Sequence, residues 1–79
     1  MDYPIDYSAY STDEIIDIID FLNHVEAYHK NPKAIDKIEL KKKHEKFRSI
    51  IHNLTEEKKI DKAFLKLTNV SIYQTMKDL

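Results

Sequence analysis

Apolar side chains recur every three or four residues along most of this chain, in runs separated by residues that start or stop helices. In the first run, Ile15, Ile16, Ile18, Ile19, Phe21, Leu22, Val25 and Tyr28 cover about two-thirds of a helix circumference, wider than the usual surface-helix stripe. The strip left over carries Asp13, Asp17, Asp20 and His24. The second run sets Leu40, His44, Phe47, Ile51 and Leu54 on one face, with Ile50 on its flank and Lys42 and Lys46 outward. Ile38 falls on its wet side. In the third, a stripe of Ile60, Ala63, Phe64 and Leu67 opposes Lys58, Lys62 and Lys66.

Each run begins at a cap. Ser11 with Glu14 three residues on has the form of a capping box, with Tyr10 and Ile15 placed as its hydrophobic staple. Asp36 with Glu39, stapled by Ile35 and Leu40, repeats it, and Ser71 with Gln74 does so again. The third helix has Asn53 (answered by Glu56) or Thr55 as its cap. Pro32 breaks the chain after the first helix, and Asn69 can take the left-handed turn that ends the third. The expectation is one all-α domain over residues 1–79, a compact bundle of three main helices and a short fourth. The helices span about 12–29, 37–52, 56–68 and 72–78. The tyrosines of the lead-in, Tyr3, Tyr7 and Tyr10, would lie across the bundle as an extended N-terminal strap.

Composition narrows the chemistry. The chain has 79 residues and no cysteine, so it has neither a disulfide framework nor a thiolate, which fits a cytoplasmic location. It also has no glycine, which removes the phosphate-cradling loops of nucleotide enzymes. No apolar run approaches the ~18 residues of a membrane span. Residues 1–29 hold seven acids and no lysine or arginine, whereas residues 30–79 hold thirteen bases and seven acids. A chain divided this way can dock its own halves or offer each sign to a partner.

The opening YP-D with STDEI, then VEAY, then FRSII followed by EEK, a later phenylalanine and an S-Y ending together resemble a family of small bacterial proteins. This is the uncharacterised protein family UPF0223, found mainly in low-GC Gram-positive bacteria. The likeness runs from Tyr3 to Tyr73. It implies an all-α cytosolic domain and brings no activity, cofactor or site with it. Where the family pattern has a glycine, this chain has Asn69.

Three groups of residues are candidates for function. Lys41, Lys42, Lys43, Lys46 and Arg48, joined by Lys58, Lys62 and Lys66, could meet phosphate. The pI of about 6.4 and the lack of an aromatic among the outward lysines, Phe47 and Phe64 belonging to the apolar stripes, favour a solvated face instead. Asp13, Asp17, Asp20 and His24 share one side of the first helix, more fit to dock a basic partner than to hold a metal, whose ligands converge from several elements. His24, His29, His44 and His52 have no zinc-binding spacing, and His44 faces the core. Ile16 and Ile38 are apolar residues off their own stripes, where a weak homodimer could form. The expected function is a small non-catalytic interaction or regulatory protein with no cofactor and a protein partner that the sequence does not name. The alternative is weak nucleic-acid binding through Lys42, Lys46, Lys58, Lys62 and Lys66.

Overall fold

The computed structural model describes residues 5–51 and 53–79, so Tyr3 of the strap and His52 lie outside the described residues. Four α-helices follow one another: α1 (Thr12–Lys30), α2 (Lys37–Ile50), α3 (Leu54–Thr68) and α4 (Ile72–Lys77). A single 3-10 turn, Pro32–Ala34, lies between the first two. The bundle is all-α among the described residues.

Capping explains where each helix starts, and the caps are not all alike. Ser11 Oγ accepts from Glu14 N–H at 3.2 Å while Ser11 N–H donates to Glu14 Oε1 at 2.9 Å, a reciprocal box. Asp36 Oδ1 accepts from the N–H groups of Ile38 and Glu39, but the Glu39 carboxylate turns to Lys43 one turn on. Ser71 Oγ accepts from Gln74 N–H, and the Gln74 amide donates to Asp78, again one turn on. A partner at i+4 on the same face competes for the side chain that would close the box. At the third start Asn53, not Thr55, is the cap, accepting from Thr55 and Glu56 N–H.

That cap moves Leu54. Expected on the apolar face of the second helix, Leu54 instead opens α3 and is 65% exposed, because α2 has already ended at Ile50 with Ile51 as its C-cap. A second correction concerns Leu67, expected in the buried stripe of α3 and found 49% exposed. On α3 the buried residues are Ile60 and Phe64, with Asp61 and Thr68 half-buried beside them. Ala63 and Glu56 are half-buried on the other side of Ile60, and on the Asp61 side the Ile72 N–H of α4 donates to Asp61 Oδ1 at 2.9 Å. Leu67 sits in the last turn of α3, one turn beyond the half-buried Ala63.

The central rod is α1. It buries Ile18, Phe21, Leu22 and Val25, with Leu40 and Phe47 of α2, Ile60 and Phe64 of α3, and Ile72 of α4 packed around it. Each such side chain contributes about 1.5–3 kcal/mol relative to exposure. The Phe21 and Phe47 rings lie 4.8 Å apart and tilted. The lead-in folds back so that Ile5 is buried and Tyr10 packs against the core. It turns at Asp6, whose carboxylate accepts from both N–H and hydroxyl of Ser8, holding the acid below its usual pKa. Tyr7 stays half exposed. At the end of α3, Asn69 takes the left-handed conformation, φ 63° and ψ 23°.

Candidate functional site

The lysine run and the acidic strip meet each other. Lys43 Nζ lies 2.5 Å from Asp20 Oδ2, and Lys46 Nζ lies 3.9 Å from Asp17 Oδ2. These pairs fix α1 and α2 as antiparallel, since a step back along one matches a step forward along the other. The hydrogen bond from Lys43 to Asp20, with Glu39 and Asp17 nearby, raises the lysine pKa above its ordinary value. His24 Nδ1–H donates to the Asp20 carbonyl at 2.7 Å. Asp13 remains exposed in the first turn of α1. Among the described residues no three histidines and carboxylates gather to hold a metal ion. Ile16 and Ile38 are 58% and 66% exposed. The antiparallel register sets them roughly 13 Å apart along the helix axes, so they do not form one ridge.

A groove opens on the opposite flank of α2. Lys41, His44, Glu45, Phe47 and Arg48 form one wall, Leu54, Glu57, Lys58 and Asp61 of α3 the other, and Ile72, Tyr73, Met76 and Lys77 of α4 close it. Its volume is about 720 Å³. Phe47, Ile72 and Met76 make an apolar floor, and two large side chains stand at its mouth, Leu54 at 65% and Tyr73 at 68% exposed. Patches of this kind on a small protein mark contact surfaces.

Several charged groups here are already engaged. Arg48 Nε lies 3.2 Å from Glu57 Oε1. The Asp61 carboxylate holds the first N–H of α4. His44 stacks on Phe21, ring centroids 5.4 Å apart, and burial first, then the Arg48 charge, pushes its pKa below the ordinary imidazole value. It is therefore neutral at pH 7. Lys41, Lys58 and Lys77 form no ion pair among the described residues.

The residues proposed from sequence are thus dispersed. Lys58 lines the groove, whereas Lys46 lies on the far flank of α2 against α1. Lys42, Lys62 and Lys66 are exposed, and His29 is exposed in the last turn of α1. Sequence reasoning missed Leu54, Tyr73, Met76 and Lys77 as members of one site. The signal for Leu54 was the choice of Asn53 as cap, which takes it off the α2 face. For Tyr73 and Lys77 it was their i, i+4 spacing on α4, too short a helix to show a clear periodicity.

None of the helices, among the described residues, is long and apolar enough to cross a membrane. No solved structure is significantly similar to the chain. A protein of Bacillus cytotoxicus is 40% identical over 74 residues, covering 94% of this chain and 80% of the relative. One from Streptococcus equi subsp. zooepidemicus is 38% identical over 76 residues, covering 95% and 78%. One from Streptococcus agalactiae is 32% identical over 75, covering 95% and 77%. All three are UPF0223 proteins. The family pattern itself matches residues 1–79, the glycine-free turn at Asn69 included, and the chain belongs to the Uncharacterised protein family (UPF0223).

Proposed function

We propose that this chain is a small non-catalytic interaction protein of the cytoplasm, and that the groove between α2, α3 and α4 is its binding surface. The observation that carries this reading is the pair Leu54 and Tyr73, two large apolar side chains held two-thirds exposed at the mouth of an apolar groove. Acid–base catalysis needs a positioned pair that is free to move a proton. Glu57 is engaged by Arg48 and Asp61 by a backbone N–H, while His44 is stacked and half-buried.

Tagged wild type and Leu54→Asp, exposed to a native lysate with and without nuclease, test this. The wild type is expected to retain a protein that Leu54→Asp loses, irrespective of nuclease. Circular dichroism should show both chains equally helical, since Leu54 is on the surface. Retention that nuclease abolishes would overturn the reading in favour of nucleic-acid binding through the exposed lysines.

A further inference from the structure

The groove has a charge pattern as well as an apolar floor. Three of its lysines come from three different helices, Lys41 from α2, Lys58 from α3 and Lys77 from α4, so they surround the floor rather than line one side. None of the three has an ion-pair partner among the described residues. Arg48 and Glu57 neutralise each other at 3.2 Å, which leaves Lys41, Lys58 and Lys77 against Glu45 and the Asp61 that holds a backbone N–H, a small positive excess. Of the other lysines of the same run, Lys43 and Lys46 are held against the acids of α1, while Lys42 is exposed. Three lysines without an ion pair among the described residues are thus brought from separate helices to one groove.

Its length is set by α2. The wall runs from Lys41 to Arg48, about 10 Å at a rise of 1.5 Å per residue, or roughly two helical turns. A partner helix of two turns presents anchors at i and i+3 or i+4, the spacing that helix-in-groove recognition uses.

Resting on the groove being the binding surface, we infer that its occupant is a short acidic amphipathic helix of a protein partner. Its apolar anchors cover Leu54, Tyr73 and the floor, and its carboxylates face Lys41, Lys58 and Lys77. Complementary charge selects the partner and speeds its encounter, while the buried anchors hold it. A basic helix would set like charges against the rim. A nucleic acid carries phosphate continuously, and would bring it against Glu45, Glu57 and Asp61, which line the same groove. A peptide can place apolar side chains there instead.

The probes are three fluorescein-labelled stapled helices of one length, with leucine at i and i+4 and with Glu, Gln or Lys at the other positions. Anisotropy and backbone amide shifts of the full-length protein are the readouts. The Glu helix is expected to bind, with shifts centred on the groove, and the Lys helix to bind at least tenfold more weakly. The double variant Lys58→Glu, Lys77→Glu, both on the surface, should reverse that preference. Equal binding of the Glu and Gln helices, both lost in Leu54→Asp, would overturn the acidic occupant and leave the groove as the binding surface. Binding of the Glu helix that survives Leu54→Asp would overturn both. Displacement of the Glu helix by a single-stranded oligodeoxynucleotide, with shifts at the same residues, would reassign the site to nucleic acid.

Discussion

Burial against Phe21 takes the imidazole of His44 partly out of water, and Arg48 on the next turn disfavours its protonation further. Glu57 and Glu45 act the other way and do not prevail. In the unfolded chain the same group takes a proton near pH 6.5, but in the folded protein only at lower pH. Between those values the unfolded state holds more protons. The contribution of His44 is complete above about pH 6.5 and is lost as pH falls through the folded value. Urea denaturation at about pH 7.5 and 5.5 should show a drop in wild-type stability that His44→Phe reduces. An identical drop in both would assign the pH dependence to other groups.

Helix starts were legible because caps are local chemistry, a side chain meeting the N–H groups two and three residues on. The reciprocal half of each box was less so, since Glu39 and Gln74 each have a competitor one turn further that only side-chain geometry ranks. Losses on substitution should follow that ranking. Ser11→Ala is expected to cost about 0.5–2 kcal/mol. Asp61→Ala, which leaves the half-buried N–H of Ile72 without its acceptor, should cost about 1–3 kcal/mol. Gln74→Ala should stay within about 0.5 kcal/mol. Denaturant midpoints give the order, and a loss at Gln74 equal to that at Ser11 would mean the α4 box closes in solution. The Asp61 contact itself was not readable, because it joins residues eleven apart through the turn at Asn69. The groove was hidden for the same reason. Its walls come from three helices, and the periodicity of each says which side is apolar but not how far two helices stand apart.

Across the whole molecule the charge imbalance between the two parts of the chain is answered along the α1–α2 seam by Lys43–Asp20 and Lys46–Asp17. Exposed pairs of this kind are worth about 0–1 kcal/mol each. Sodium chloride at ~1 M shortens the Debye length to about 3 Å. The thermal midpoint should fall by a few degrees, less so in Asp20→Asn, whose main pair is already gone. A midpoint indifferent to salt would show that the seam is held by packing alone. The left-handed residue at the end of α3 has a wider consequence. Among the described residues Asn69 alone has a positive φ, and the chain spends no glycine on it or on any other turn. An average sequence of this length would carry about five or six glycines. Each replacement of glycine by a residue with a Cβ, where the native backbone allows it, narrows the unfolded ensemble by about 0.4–1 kcal/mol. The sum is several kcal/mol, comparable with the whole stability of a small domain. Without a disulfide to restrain it, this chain gains part of its stability from having fewer conformations to give up.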